Sequence, residues 1–228
     1  MPGGYAFPVD GLTRYQEALL ACRLCPRLVA WREGVAGSRR AFRQESYWAK
    51  PVPGFGDPKA KLVLFGLAPG AHGSNRTGRP FTGDASGAFL YPLLFEAGLS
   101  SKRESEPGDD LRLFGVYLTA AVRCAPPENK PTREEIRTCA RWTEVELGLL
   151  REARVYLALG RIAHEALLAY FGLPKRGHPF FHGAHYPIPD GRHLLTSYHV
   201  SRQNTQTGRL TREMFLEVLL KAKALAGL

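Results

Sequence analysis

The chain lacks an apolar run long enough to cross a membrane, which needs about 20 residues. Its first residues, MPGGY, are not a basic segment followed by an apolar core, so no secretory leader is expected. A cytoplasmic location is therefore expected. Internal repeats and low-complexity segments are also missing. A length of 228 residues then favours one domain, spanning 1–228, around one hydrophobic core.

Acidic residues are scarce relative to basic ones. The chain has 21 Asp and Glu against 31 Lys and Arg, which gives a formal net charge of +10. This surplus favours a polyanionic partner, although a basic soluble protein without one is the alternative. Amide-bearing residues are also few and arginine outnumbers lysine, a composition typical of thermophiles.

Cysteine is rare, but its placement is informative. The four cysteines are Cys22, Cys25, Cys124 and Cys139, and the first two form a Cys-x-x-Cys pair. A cytoplasmic protein seldom keeps disulfides, so four cysteines favour a site for zinc or for an iron–sulfur cluster. The spacing of the cysteines in the sequence does not distinguish between these two metal sites. Unconnected buried cysteines are a further alternative. A redox pair is disfavoured because Cys25 precedes Pro26 and the pair does not follow a first strand.

Hydrophobic periodicity predicts alternating strands and helices. The predicted helices cover 11–32, with an interruption at Pro26, then 85–97, 132–151, 161–170 and 210–226. The predicted strands cover 62–65, 111–119, 155–159 and 194–196, and an irregular connection covers 33–60. This order implies a parallel sheet covered by helices on both faces.

Three loops follow the carboxyl ends of predicted strands, where open α/β sheets bind their ligands. The first, GLAPGAHGSNRTGRPFTGD at 66–84, has five glycines, which allow a close approach of backbone to a ligand. The others cover 120–129 and 198–208. An ordinary long loop is the alternative interpretation of the first one.

These loops resemble motifs of the uracil-DNA glycosylase superfamily, most closely its iron–sulfur family 5. The resemblance rests on 66–84, on VRCAPP at 122–127, on CRLC at 22–25 with Cys139, and on HVSRQNTQTGRLT at 199–211. It implies a three-layer α/β/α sandwich around a four-stranded parallel sheet, and a [4Fe–4S] cluster on Cys22, Cys25, Cys124 and Cys139. It further implies a monofunctional enzyme that excises uracil, and other deaminated bases such as hypoxanthine, from double-stranded DNA. A monomer is expected, although the sequence leaves the oligomeric state open.

The resemblance also locates a base pocket in the first loop. Phe81 is predicted to stack on the flipped base, and His199 is predicted to donate a hydrogen bond to the departing base as a neutral imidazole. The other predicted substrate-binding residues are Gly66, Ala68, Gly70, His72 and Ala120.

Two alanines stand where related enzymes are expected to carry polar side chains. Many members of the superfamily place an Asp or Asn early in the first motif to position water, which Ala68 cannot do. Asn75 is predicted to place the water instead, with loop capping as the alternative. Ala120 replaces an expected Asn that would bond the uracil edge, which implies a looser pocket or a substitution in this chain. An inactive relative with the same fold is therefore a further alternative.

DNA contacts are predicted on both sides of the pocket. Ser201, Arg202, Gln203 and Asn204 are predicted to wedge into the duplex. Phosphate contacts are predicted for Arg76, Arg79, Arg123, Arg202 and Arg209. The main competing function is a non-catalytic DNA-binding module held together by zinc or a cluster.

Overall fold

A mostly parallel sheet of six strands forms the centre of the structure, a computed structural model that describes residues 11–228. The strands are β1 (Phe55–Gly56), β2 (Leu62–Gly66), β3 (Val116–Ala120), β4 (Val155–Leu159), β5 (His185–Pro187) and β6 (His193–Ser197). Their order is β1-β3-β2-β4-β6-β5, and only the two edge strands are antiparallel. The predicted four-stranded parallel sheet is thus confirmed as the centre of a wider sheet. The MPGGY segment lies outside the described residues.

Helices cover both faces of this sheet. They are α1 (Gly11–Leu20), α2 (Pro26–Gly34), α3 (Ser74–Thr77), α4 (Ala85–Glu96), α5 (Arg133–Leu149), α6 (Arg161–Tyr170), α7 (Arg202–Gln206) and α8 (Arg212–Ala226). Side chains alternate along a strand, so Leu62 and Leu64 face α4 and α8, whereas Val63 and Phe65 face α1, α5 and α6. The predicted α/β/α sandwich is confirmed. No helix within residues 11–228 is long and apolar enough to span a membrane.

Local sequence signals explain where several helices begin. Thr132 and Glu135 form a reciprocal capping box at the start of α5. Pro26 occupies the first turn of α2, so the predicted helix over 11–32 is a pair, and Cys22 and Cys25 lie between its members. Asp84 caps α4 by accepting hydrogen bonds from the amides of Ser86 and Gly87.

The largest difference between a predicted and an observed boundary is at β3. The strand predicted over 111–119 begins only at Val116, because Gly115 has a φ of 66° and Leu113 instead forms an isolated bridge with Ser100. The short elements α3, α7 and β5 were not predicted, since elements this short depend on tertiary contacts rather than on a repeating pattern.

Candidate active site

The three polar loops meet at the carboxyl edge of the parallel strands and enclose a cleft of about 810 Å³. Such an edge is where open α/β sheets place their ligands. The predicted residues that line this cleft are Ala68, Gly70, His72, Phe81, Ala120, His199, Ser201, Arg202, Gln203 and Asn204. The structure therefore brings most of the predicted substrate and DNA contacts together.

Phe81 forms part of the cleft wall in an unusual backbone conformation. Its φ is 52°, a left-handed value that a bulky side chain adopts only where the surroundings enforce it, at a cost of about 1–3 kcal/mol. The ring tip lies against the end of β2, where a Cβ on Gly66 would come within 2.8 Å of Cζ of Phe81. Gly66 is buried and leaves space for the aromatic ring of Phe81, and Phe81 rather than Gly66 lines the cleft.

His199 follows β6 and is partly buried in the cleft wall. Burial disfavours the imidazolium and lowers the pKa of His199 to about 4, so the ring is neutral at physiological pH. The amide of Asn204 donates to the carbonyl oxygen of His199 at 2.8 Å and fixes the backbone there. A neutral imidazole keeps one N–H that can be donated to a ligand.

His72 is fixed in the cleft wall by aromatic neighbours. The hydroxyl of Tyr47 lies 2.7 Å from Nδ1 of His72, and Tyr47 and Phe42 both pack against the ring. Burial lowers the pKa of His72, and the positive charges of Arg39 and Arg76 lower it further. The side chain is thus a second neutral imidazole beside the cleft.

Asn75 does not lie where a water-positioning residue must lie. Its side chain is fully buried, and its amide donates to the carbonyl oxygens of Arg32 at 3.1 Å and Ala71 at 3.4 Å. It is not part of the cleft lining. The expectation that Asn75 places the water is therefore corrected, and the loop-bracing alternative fits its contacts.

Arg123 is not available for a phosphate. Its guanidinium is buried, and Nη2 lies 2.7 Å from Oε2 of Glu146, an ion pair without hydrogen-bond alignment. Arg123 also donates through Nη1 to the hydroxyl of Thr119. The predicted DNA contact is wrong for this residue, because the guanidinium balances a buried carboxylate in the core.

Two further arginines are engaged within the protein. Arg76 pairs with Glu45 and donates to the carbonyl oxygen of His72 at 2.8 Å. Arg79 pairs with Asp109 and donates to the hydroxyl of Ser105 at 3.0 Å. Since both guanidinium groups already brace loops, their predicted role as phosphate contacts is not supported by their surroundings.

The remaining predicted arginines are exposed. Arg202 lies at the start of α7 and lines the cleft, and Arg209 packs its guanidinium 4.8 Å from the ring centre of Tyr198. Neither residue forms an ion pair within the part of the chain that the structure describes. They are the predicted phosphate contacts that the structure leaves accessible.

The four cysteines line one small cavity beside the cleft, together with Leu28, Val122 and Trp142. Cys22 and Cys25 come from the α1–α2 connection, Cys124 from the loop after β3, and Cys139 from α5. Among the described residues, no three His, Cys, Asp or Glu side chains are placed to hold a single metal ion. The guanidinium of Arg32 lies 2.9 Å from Sγ of Cys124, so a cation adjoins the thiols.

Several residues of the cleft were not singled out from the sequence. Arg39 and Phe42 come from the connection over 33–60, and Glu128 and Asn129 come from a turn after β3 with positive φ values of 53° and 57°. Asp84 also lines the cleft. Of these, only Asp84 had a sequence signal, as an N-cap residue directly before a predicted helix.

The site is a concave cleft at the carboxyl edge of a parallel sheet, with a neutral imidazole in its wall. Such a site is typical of α/β enzymes, whereas a protein that only binds DNA can do so with a flat surface. The family model described as "Uracil DNA glycosylase superfamily" matches residues 53–223. The chain belongs to this superfamily, and it groups with the type-5 members described next.

Three proteins named type-5 uracil-DNA glycosylase align along nearly the whole chain. The protein from Thermus thermophilus is 82% identical over 214 residues, which cover 94% of this chain and 98% of that relative. The protein from Mycobacterium tuberculosis is 47% identical over 91% of this chain and 79% of its own length. The protein from Pyrobaculum aerophilum is 46% identical over 93% of this chain and 92% of its own length.

Proposed function

We propose that this chain is a monofunctional DNA glycosylase that excises uracil from double-stranded DNA and leaves an abasic site. The observation that carries the proposal is the cleft at the carboxyl edge of the sheet, which is lined by both Phe81 and the neutral His199. Close similarity to proteins named as type-5 uracil-DNA glycosylases supports it. A non-catalytic DNA-binding module is not favoured, because this chain aligns with 79–98% of the length of relatives that are named as enzymes.

The mechanism requires the target base to leave the duplex, which takes a few kcal/mol and less for a mispaired base. Phe81 supplies a face on which the flipped base stacks. As the glycosidic bond breaks, negative charge develops on the base, and the N–H of His199 stabilises it by donating a hydrogen bond. Gln203 and Asn204 fill the space that the flipped base leaves in the duplex.

At position 120 the pocket has no side chain that could bond the uracil edge, and this favours acceptance of other bases. Ala120 ends β3 inside the cleft and offers no hydrogen-bonding group. Hypoxanthine and other deaminated bases belong to the proposed substrate range for this reason. The proposal further takes the enzyme to be a cytoplasmic monomer.

We also assign a [4Fe–4S] cluster to Cys22, Cys25, Cys124 and Cys139. Their common cavity supports the assignment, as does the guanidinium of Arg32 beside Cys124, because a cluster held by four thiolates is anionic. Cluster ligands bind separate irons, so they need not converge on one point as zinc ligands do. When bound, the cluster acts as a cross-link and a local charge. The cysteines hold the α1–α2 connection against the loop after β3 and against α5.

The decisive experiment measures alkali-labile nicking of otherwise identical duplexes that contain uracil, hypoxanthine or the undamaged base. We expect nicking only at the damaged base. A protein that binds all three duplexes and nicks none would be an inactive relative with the same fold. Visible absorbance and bound iron, measured on the same sample, distinguish the cluster from zinc.

Replacing Ala120 by asparagine is expected to raise the rate of uracil excision and to lower that of hypoxanthine excision. The new amide would donate to the uracil edge, and a well-placed hydrogen bond contributes about 1 kcal/mol. Single-turnover rates on the two duplexes test this. Unchanged rates on both substrates would show that position 120 does not read the base.

Replacing Arg202 by alanine is expected to reduce the salt dependence of DNA binding. Each lost phosphate contact lowers the slope of log affinity against log salt concentration by about 1. Arg151, exposed just before β4 and so at the opposite edge of the sheet, provides the matched control. Equal slopes for the Arg202→Ala variant and wild-type protein would remove Arg202 from the interface.

Protonation of His199 should make stability depend on pH. The folded ring titrates near pH 4 and the unfolded ring near 6.5, so below 6.5 the unfolded state binds a proton that the folded state excludes. Relative to a His199→Gln variant, the wild-type protein should therefore lose about 2 kcal/mol of stability at about pH 5 and almost none above about pH 7. Denaturant unfolding of both proteins across this range measures the difference. A difference independent of pH would contradict the burial of a neutral ring.

A further inference from the structure

Two buried arginines differ in what balances their charge. Arg123 lies 2.7 Å from an oxygen of Glu146, which is itself fully buried. Arg32, in α2, is only 2% exposed, but the one carboxylate within 4 Å of its guanidinium among residues 11–228 is that of Glu33, at 3.7 Å. Glu33 is exposed, and both of its oxygens accept hydrogen bonds from Arg23. The buried charge of Arg32 therefore has no carboxylate of its own.

The guanidinium of Arg32 is directed at the cysteines instead. Nη1 donates to Sγ of Cys124 at 2.9 Å, and Nη2 donates to the carbonyl oxygen of Cys22 at 3.2 Å. Nε is sealed from solvent and has no hydrogen-bond partner in the part of the chain that the structure describes. A buried cation is costly unless an anion faces it, and a neutral thiol is only a weak acceptor. The surroundings of Arg32 thus call for an anionic group at the cysteines.

The cavity beside Arg32 has apolar walls. Cys124 and Cys139 belong to one buried cluster with Leu28 and Val122, and Trp142 packs against it. Water does not screen charges effectively in such surroundings, so a cation there acts strongly on a neighbouring anion. Arg23 follows Cys22 directly in the sequence, but its side chain is 61% exposed and its charge is screened by solvent. The two arginines therefore place the same charge near the cysteines with very different expected effects.

We propose that Arg32 is a positioning residue for the [4Fe–4S] cluster, an inference that rests on the cluster assigned above. Its guanidinium donates to the sulfur of Cys124, holds the cluster in the protein and raises its reduction potential. Addition of one electron makes a cluster more anionic, so a nearby cation and a hydrogen bond to a ligand sulfur both favour the reduced form. The same contact with a ligand strengthens metal binding.

The alternative is that Arg32 only braces the α1–α2 connection through the carbonyl oxygen of Cys22. Two substitutions separate these roles, because Arg32→Lys keeps the charge and loses the forked donor, whereas Arg32→Met loses both. A brace that depends on the fork fails in both variants, while the charge is lost only in Arg32→Met. The carbonyl oxygen of Arg32, which accepts from the amide of Asn75 at 3.1 Å, remains in both. The first loop therefore keeps its anchor.

The experiment uses the cluster-loaded proteins and measures two properties. One is the potential at which the cluster takes up one electron from an electrode, and the other is the rate of iron release to a chelator. We expect a lower potential for Arg32→Met and a release rate about 10- to 100-fold above that of the wild-type protein. Arg32→Lys should keep a potential near the wild-type value. Arg23→Met, the matched control, should leave both properties unchanged.

Arg32→Gln covers the case in which Arg32→Met retains too little iron for voltammetry, since its amide is neutral but still donates. A wild-type potential in this variant or in Arg32→Met would overturn the inference. Equal decreases in Arg32→Lys and Arg32→Met would also overturn it, and would assign Arg32 to bracing. Absence of iron from the wild-type protein would remove the cluster assignment instead, and absence of uracil excision would remove the proposed activity, so these failures are distinguishable.

Discussion

Replacing His199 by alanine should lower the single-turnover rate of uracil excision by about 10²- to 10³-fold, the loss that follows removal of one preorganised donor to a developing anion. The effect should fall on the rate and spare DNA affinity, because the hydrogen bond strengthens only as charge moves onto the base. The imidazole of His199 has no hydrogen-bond partner among residues 11–228, and the contact with Asn204 uses its backbone oxygen, so the variant should fold normally.

The control for this prediction is His185→Ala. His185 lies on the edge strand β5, where its ring contacts His193 and not the cleft. Excision by this variant should match that of the wild-type protein. If His199→Ala retained the wild-type rate, the donor would have to be another group, of which His72 is the nearest equivalent in the same cleft. A collapse of affinity without a change in rate would reassign His199 to binding.

Replacing Glu146 by alanine should lower the free energy of unfolding by about 3–5 kcal/mol, because it leaves a buried guanidinium without its counter-charge. Glu146 is fully buried and pairs with Arg123 at 2.7 Å. It also accepts hydrogen bonds from the amide of Gly54 and from the hydroxyls of Tyr117 and Thr119. All these donors lose their partner in one substitution.

An exposed ion pair provides the comparison. Arg23 and Glu33 are paired in solvent, so Glu33→Ala should leave the free energy of unfolding nearly unchanged. In the double variant Arg123→Met/Glu146→Leu, much of the lost stability should return, since neither charge is then buried alone. A Glu146→Ala protein as stable as Glu33→Ala would show that water reaches Arg123.

The parallel sheet was predictable because its strands and helices carry local signals. The predicted bounds of β4 and of α6 are those found, with Gly160 between them at a φ of 99°. A short apolar run followed by a helical repeat needs no knowledge of the rest of the chain. The positions of the three polar loops follow from the strand ends in the same way.

The roles of individual side chains were harder to predict, because they depend on partners that are distant in the sequence. In the sequence, Arg123 lies in a motif where an arginine is expected to contact DNA. Its partner Glu146 lies near the far end of α5, so the sequence around Arg123 does not reveal the ion pair. Asn75 likewise reaches the carbonyl oxygen of Arg32. Residues such as Arg39 and Phe42 reach the cleft from a connection with no periodic pattern, so their position is set entirely by tertiary packing.

The short strands β1 and β5 have a consequence for association between molecules. A parallel sheet with bare outer strands offers rows of unpaired amides and carbonyls to any other extended chain. Here each outer parallel strand is covered by an antiparallel strand of only two or three residues, and β5 ends in Pro187, which has no amide hydrogen to donate. The borders of the sheet therefore resist pairing with a second sheet, which protects a concentrated or heated solution of this protein against aggregation.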